Sequence, residues 1–233
     1  RWFHNNMTMA MQLVFIGGAQ RSGTTLLQTL LANALNSPLL PEAHTLCDIL
    51  IAYKRAKEHW RKTQFFYPTE DSLLNFFQTF ALRHVEDISS GTGLQSILVL
   101  KDPNFVQVLG ELSAIFPGCI RIVCIRDPRD ITASFLQIGK RESNPDHPSR
   151  YGRRDIHFIA KKVLSSYAPL LESSQPENVV LVRYEQLATT SRAALQRLAH
   201  DTGLKLSYDR IDEPIWLPPD ARHGPAWVSE LEG

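Results

Sequence analysis

Short, uninterrupted runs of apolar residues recur along the chain, and turn-forming residues bound each of them. Runs of this length and composition are typical of strands that are buried on both faces. They are predicted at residues 13–17, 97–100, 120–125 and 179–182. Since these strands carry no alternating polar face, the pattern favours a parallel sheet that is covered on both sides.

The segments between the strands show the helical period, in which apolar residues recur three and four positions apart. The first of them carries five leucines on one face, between residues 26 and 35, and ends before Pro38. Helices are predicted at residues 24–35, 44–62, 70–88, 103–116, 128–139, 154–172 and 190–202. Residues 89–93 and 143–152 are predicted to be loops, the second of them exposed and mobile.

Strands that alternate with helices predict an α/β fold. We expect a three-layer, P-loop-like domain in which helices flank a central parallel sheet. The length of 233 residues suits one well-filled domain of this kind. The sequence contains no internal repeat or low-complexity tract, so a single domain over residues 1–233 is the simplest interpretation.

The composition, with 43% hydrophobic and 21% charged residues, is that of a globular protein. A net charge of +1 argues against binding of nucleic acid or anionic membranes, and no apolar run is long enough to cross a bilayer. Cys47, Cys119 and Cys124 are too few for a disulfide framework or a metal site, which favours a cytoplasmic location. Because the sequence starts at Arg1, a lumenal protein whose anchor was removed is the alternative.

The first predicted strand leads directly into a glycine-containing turn and then into a helix. Gly18 and Gly23 have the spacing of the phosphate-binding pattern G-x-x-x-x-G-K-[ST], but Thr24 stands where that pattern has lysine. Unpaired N–H groups at a helix N-terminus bind anions, and Arg21 supplies a positive side chain inside the turn. The segment therefore predicts a nucleotide-type anion, but not ordinary hydrolysis of a nucleoside triphosphate.

Two further cationic residues follow predicted strands. Lys101 comes after the second strand, and Arg126 comes after the third. Ligands of such folds bind beyond the carboxyl ends of the parallel strands, which meet at one edge of the sheet. We therefore expect Lys101, Arg126 and Arg21 to line one crevice.

These features resemble the sulfotransferases that use 3′-phosphoadenosine 5′-phosphosulfate (PAPS). The stretch Gln20-Arg21-Ser22-Gly23-Thr24-Thr25-Leu26 is similar to their 5′-phosphosulfate loop. Arg126 and Ser134, eight residues apart, are similar to their 3′-phosphate motif. The resemblance covers roughly residues 12 to 205 and implies transfer of a sulfuryl group to a hydroxyl or phenol, with release of adenosine 3′,5′-bisphosphate (PAP). The donor-binding residues that it implies are Arg21, Ser22, Gly23, Thr24, Thr25, Arg126 and Ser134.

Within that family the chain looks most like the tyrosylprotein sulfotransferase branch and its bacterial relatives. Glu42 follows Arg21 at the distance of that branch's catalytic glutamate, and Lys101-Asp102-Pro103 matches its Lys-Asp-Pro motif. The segment Tyr184-Glu185-Gln186-Leu187 matches its Tyr-Glu-x-Leu segment. The resemblance implies that Glu42 is the general base and that Lys101 and Arg21 stabilise charge on the transferred group. Tyr184 is equally compatible with packing and with binding of adenine.

The chain departs from the family pattern at its C-terminal end. Members usually continue in a longer segment that closes over PAPS and carries a further serine, so we expect this part to be short or truncated. Arg222-His223-Gly224 resembles an Arg-Lys-Gly element of cytosolic members, which implies contacts from Arg222 and Gly224 to the 3′-phosphate.

Several alternatives remain open from the sequence. His44 is the rival of Glu42 as the base, because cytosolic members of the family use histidine. No metal is expected, since a sulfuryl group carries less charge than a phosphoryl group. The acceptor is a hydroxyl-bearing small molecule, a carbohydrate or a peptide tyrosine. The alternative functions are a P-loop nucleotide kinase or NTPase, and a non-catalytic nucleotide-binding module.

Overall fold

A parallel sheet forms the centre of the protein. The computed structural model describes residues 11–93, 96–141, 143–144, 147–148, 155–171 and 178–211. Its strands are β1 (Gln12–Gly18), β2 (Ile97–Lys101), β3 (Ile120–Ile125), β4 (Ser143–Asn144), β5 (His147–Pro148) and β6 (Val179–Arg183). The order in the main sheet is β2-β1-β3-β6, with parallel pairing throughout, which confirms the four predicted strands and their arrangement.

Helices cover both faces of this sheet. They are α1 (Thr24–Leu35), α2 (His44–Glu58), α3 (Trp60–Thr63), α4 (Glu70–Thr92), α5 (Leu109–Ile115), α6 (Pro128–Arg141), α7 (Ile156–Leu171) and α8 (Tyr184–Thr202). Two short 3₁₀ helices cover Pro103–Val108 and Tyr208–Arg210. The predicted bounds of α1 are confirmed to the residue.

Several predicted boundaries are wrong. The helix expected over 44–62 is two helices, because the backbone leaves helical geometry at His59. The loop expected at 89–93 is mostly the last turn of α4, since the residue that ends this helix is Gly93, with a left-handed φ of 71°. The loop expected at 143–152 contains the two-residue strands β4 and β5, which pair antiparallel.

Two helices also begin differently from the prediction. The helix expected over 103–116 starts as a 3₁₀ helix, with Pro103 at its first position and the Asp102 side chain as its cap. The helix α8 begins at Tyr184 rather than at residue 190, and the non-helical Thr190 marks a kink between its two parts. Both helices begin directly after a strand, at the edge of the sheet where the crevice is expected.

Each face of the sheet has its own hydrophobic core. Phe15 in β1 packs on the face covered by α2, α4 and α5, with its ring 5.4 Å from that of Phe105 and 5.3 Å from that of Phe116. Its neighbours Val14 and Ile16 point to the opposite face, where α1 and α8 pack. Because successive residues of a strand alternate between faces, one apolar run supports both cores, and the predicted three-layer architecture is confirmed.

The carboxyl end of β1 is packed too closely for a side chain. A Cβ atom added at Gly17 would lie 2.7 Å from the backbone nitrogen of Val106, and one at Gly18 would lie 2.5 Å from the carbonyl oxygen of Cys124. These close contacts hold the end of β1 between the backbone that follows β2 and the strand β3. They thereby fix the starting point of the turn that leads into α1.

We expect Gly17→Ala to destabilise the fold by roughly 1–3 kcal/mol, because the neighbouring Val106 backbone cannot rotate away as a side chain can. The matched control is Gly110→Ala in α5, where an added Cβ meets nothing within 4 Å and alanine is favoured by up to ~1 kcal/mol. Urea unfolding measures both free energies. Equal stability of the two variants would contradict the tight packing at Gly17.

Candidate functional site

The turn between β1 and α1 is the centre of the candidate site. The Ser22 amide donates to Ala19 O over 3.0 Å, so Ser22, which is fully buried, shapes the turn from within. Arg21 and Gly23 have left-handed φ values of 71° and 94°. Gly23 is the N-cap of α1 and places no capping side chain over the first-turn amides. Those amides and the helix dipole are the features that bind an anion.

The threonines of the turn have different exposures. Thr24, at the position where the P-loop pattern has lysine, is 5% exposed and therefore offers no long cationic side chain to a ligand. Thr25 is half-buried, and its hydroxyl lies 3.4 Å from Lys101 Nζ. The cation beside this part of the turn is therefore Lys101, at the end of β2, and not a residue of α1.

Lys101 holds Glu42 at the same edge of the sheet. Its ammonium donates to Glu42 Oε1 over 2.7 Å, and its residue is 3% exposed. The Glu42 side chain is 35% exposed, so its carboxylate stays within reach of a substrate. A backbone hydrogen bond brings Glu42 close to Lys101. The Ala43 amide donates to Lys101 O over 2.9 Å and holds the segment after α1 against the end of β2.

His44 extends this contact into a longer chain of polar groups. Its Nε2 lies 3.1 Å from Glu42 Oε2, and its Nδ1 lies 2.6 Å from Asp102 Oδ2. Asp102 is fully buried and also accepts from the Asn104 amide over 2.8 Å. His44 is the first residue of α2 and 64% of its side chain is exposed. The order Asp102–His44–Glu42–Lys101 therefore runs from the core to the turn.

Sequence reasoning missed Asp102 as a member of the site. An Asp-Pro pair directly after a strand is a signal for a helix cap, and this signal could have found it. Asp102 does cap the 3₁₀ helix, and its second carboxylate oxygen is what reaches His44.

The ligand atoms of Glu42, His44 and Asp102 lie within 4.8 Å of one another, a spacing that a metal ion could bridge. The ammonium of Lys101 already gives Glu42 a positive partner, and hydrogen bonds account for the other contacts. We therefore interpret the cluster as a hydrogen-bonded chain. The expectation of a site without metal stays a prediction.

A cluster of two arginines and a serine lies on the side of the turn opposite to Lys101. Arg21 Nε donates to Ser134 Oγ over 3.2 Å, and Arg126 Nη1 donates to Arg21 O over 3.1 Å. The structure thus brings together Arg21 and Arg126, which follow predicted strands, and Ser134 of α6. Lys101, expected in the same crevice, lies on the opposite side of the turn, beside Thr25. The Arg21 side chain, however, contacts Ser134, on the side where the 3′-phosphate is expected.

The ring of Tyr184 contacts both the turn and Arg126. The Arg126 guanidinium sits 4.0 Å above the ring centroid, and a Cβ added at Gly23 would lie 2.2 Å from Tyr184 Cδ2. The ring is therefore packed in the structure, and its binding of adenine stays a prediction. The ring supports a cation–π contact, orients Arg126 and requires glycine at position 23.

Two more residues that the sequence did not single out support the crevice. Glu185 Oε1 accepts from the Asp127 amide over 2.8 Å and fixes the start of α6. Lys162 on α7 donates to Gln20 Oε1 over 2.6 Å and brings another cation to the turn. Lys162 is far from any motif, so only the tertiary packing reveals it. Arg222 and Gly224 lie outside the described residues.

The sequence matches a known protein family over most of its length. The family described as "Sulfotransferase family" matches residues 13–208. This range includes the turn, the arginine cluster, Lys101 and Glu42. The chain belongs to the sulfotransferase family. The predicted family is thereby confirmed, whereas the tyrosylprotein branch stays a prediction.

Solved structures of other sulfotransferases share the fold of this sulfotransferase-family chain. The sulfotransferase domain from the curacin biosynthetic pathway has a TM-score of 0.52 and 20% identity, over 85% of this chain and 76% of that one. The sulfotransferase domain of the Synechococcus PCC 7002 olefin synthase has a TM-score of 0.51 and 18% identity, over 84% and 74%. Sulfotransferase STF9 from Mycobacterium avium has a TM-score of 0.53 and 15% identity, over 87% and 66%. No curated protein sequence matches, and no helix among the described residues is long and apolar enough to cross a membrane.

The three cysteine thiols predict how stability depends on pH. Burial raises the pKa of Cys124, beneath the turn, from 9.0 to about 12, and that of Cys119 to about 11. Burial, together with the charge of Asp102, also raises the pKa of Cys47. Above pH 9 the unfolded thiols lose protons that the folded ones keep, so the free energy of unfolding must fall as the pH rises.

We expect the pH dependence of this loss to be weaker in Cys124→Ala. Between pH 8 and pH 10 the variant should lose about 1.4 kcal/mol less stability than the wild type, because one thiol no longer contributes. Urea unfolding at both pH values measures the difference. Parallel losses in the two proteins would show that Cys124 does not keep its proton.

Proposed function

We propose that this chain is a PAPS-dependent sulfotransferase that transfers a sulfuryl group to a hydroxyl and releases PAP. The observation that carries the proposal is the placement of two polar clusters on opposite sides of one anion-binding turn. Arg21, Arg126 and Ser134 lie on one side. Lys101 and Glu42 lie on the other, with Thr25 between them and the turn. A donor with a phosphate at one end and a phosphosulfate at the other fits this arrangement.

The residues divide into those that bind the donor and those that act on the acceptor. Amides at the start of α1, with Thr25, would hold the 5′ end, and Arg126 with Ser134 would hold the 3′-phosphate. The expected contact of Arg21 with the 5′ end stays a prediction, because its side chain donates to Ser134. When bound, PAPS supplies an activated sulfuryl group whose departure leaves a phosphate. Lys101 is positioned to stabilise negative charge on that side, which is the main form of catalysis in transfers of this kind.

Glu42 is favoured over His44 as the base by the partners of the imidazole. Both His44 nitrogens face carboxylate oxygens, which accept hydrogen bonds and do not donate them. Glu42 is a carboxylate, which can accept a proton, and 35% of its side chain is exposed at the edge of the crevice. In the proposed step Glu42 takes the hydroxyl proton while the acceptor oxygen bonds to sulfur and the bond from sulfur to the phosphate oxygen breaks. His44 and Asp102 hold the Glu42 carboxylate in place.

The other expectations stay predictions. The cytoplasmic location follows from the sparse cysteines alone, and the tyrosylprotein branch follows from short motifs. The kinase and binding-module alternatives become outcomes of the experiments: release of phosphate from ATP with Mg²⁺ would favour the first, and PAP binding without turnover of any acceptor would favour the second.

If Arg126 and Ser134 hold the 3′-phosphate, PAP should bind more tightly than adenosine 5′-monophosphate, and Arg126→Ala should remove most of the difference. The loss of a charge-assisted contact is worth roughly 1.5–3 kcal/mol, or about 10- to 150-fold in affinity. Calorimetry with both nucleotides measures it. Arg129→Ala is the matched control, because Arg129 in the same motif is exposed and pairs with Asp127. Equal affinity of the wild type for both nucleotides would overturn the 3′-phosphate assignment.

Glu42→Gln should lower the rate of the chemical step by roughly 10²-fold or more, because the amide cannot accept the proton. His44→Ala should have a much smaller effect, since it removes only a group that positions Glu42. Single-turnover transfer with saturating PAPS and a working acceptor measures both, and the affinity for PAP should stay unchanged. An inactive His44 variant beside a nearly normal Glu42→Gln would assign the base to His44.

A further inference from the structure

An open cavity of about 440 Å³ lies beside Glu42, between the segment that precedes α2 and the C-terminal half of α4. Resting on the proposed function, we propose that it binds the acceptor and that this acceptor is a small, uncharged alcohol or phenol with an apolar body. Four features carry this inference: the place of the cavity, its apolar lining, its charges and its size.

The cavity lies next to Glu42, the proposed base. Glu42 and His44 form part of its wall, and the neighbouring Leu100 belongs to β2 directly before Lys101. A molecule in the cavity therefore has its hydroxyl beside the carboxylate that we assign as proton acceptor. The cavity is separate from the Arg126 cluster, since Arg21, Arg126 and Ser134 are not among its lining residues.

The lining is mostly apolar. Leu40 and Leu100 form the apolar floor of the cavity and are buried, with exposed fractions of 6% and 1%. Pro41, Ala43 and Ile88 contribute further apolar surface. Such a wall favours a hydrocarbon or aromatic body, which gains free energy by leaving water.

The charges of the lining disfavour anionic acceptors. No lysine or arginine is among the described residues that line the cavity, whose ionisable side chains are Glu42, His44, His84 and Asp87. Lys101 and Arg83 lie outside it and are paired with Glu42 and Asp87. An acceptor with a carboxylate or sulfate would therefore find no lysine or arginine in the described wall to pair with, so burying its charge there is unfavourable.

The size of the cavity limits the acceptor further. Pockets for small molecules measure roughly 300–1,000 Å³, so a volume of about 440 Å³ suits a single ring or a short aliphatic chain. A peptide segment or an oligosaccharide is larger than this volume.

Two pairs of probes test the charge requirement. In each pair a carboxylate replaces one terminal hydrogen: 4-ethylphenol with 3-(4-hydroxyphenyl)propanoate, and 1-pentanol with 6-hydroxyhexanoate. Transfer of labelled sulfate from PAPS at pH 8 should give kcat/KM values at least about tenfold higher for the neutral member of each pair that reacts. Equal values for the neutral and anionic members would overturn the proposal.

Substitutions at Gly91 test the location. Gly91 lines the cavity, and a Cβ added there meets nothing within 4 Å. Gly91→Lys should raise kcat/KM for the anionic members about tenfold relative to Gly91→Gln, which has a side chain of similar length without charge. Gly110→Lys, at an equally open helical position outside the cavity, should leave the preference as in the wild type. Identical preferences in the Gly91→Lys and Gly91→Gln variants would place the acceptor elsewhere.

The same measurements separate the acceptor from the donor. Calorimetry with PAP accompanies every variant. A protein that binds PAP but sulfates none of the four probes overturns the acceptor class and leaves the donor site standing. A protein that binds no PAP overturns the proposed function itself, and the acceptor assignment falls with it.

Discussion

Lys101 and Asp102 are consecutive charged residues that are buried at the end of β2, and a buried charge requires partners. Each of them recruits a different residue of the segment that enters α2. Lys101 binds Glu42, and Asp102 binds His44. The positions of the proposed base Glu42, the start of α2 and the wall of the neighbouring cavity therefore all depend on how one strand end satisfies its two charges.

The turn after β1 depends on contacts of a different kind. Gly17 and Gly18 are pressed against the backbone of neighbouring elements, and Gly23 lies against the Tyr184 ring. That ring in turn lies beneath Arg126. Steric contact thus connects the anion-binding turn to the arginine at the end of β3, and the separation between the two is fixed before any ligand arrives. A site built this way loses little conformational freedom on binding, which is the advantage of preorganisation.

The parts of this structure that could be predicted from sequence are those with a local signal. The strands are continuous apolar runs, α1 ends at a clear stop, and Arg21 and Arg126 meet because the ends of parallel strands share one edge of the sheet. The chain Asp102–His44–Glu42–Lys101 has no such local signal, because it depends on the fold of residues 36–43 back to β2. Lys162 reaches Gln20 from a helix distant in sequence. The start of α8 at Tyr184 was missed because strand and helix meet there without a loop.

The replacement of the P-loop lysine has a chemical consequence. In the nucleotide-binding pattern the cation stands on the same helix as the phosphate-binding amides, independent of the second substrate. In this chain that position holds the buried Thr24, and the cation is Lys101, whose partner is Glu42. The group that would stabilise the donor is therefore in direct contact with the group that would deprotonate the acceptor. A change in the charge of either residue must alter the environment of the other, so the two functions cannot be adjusted separately.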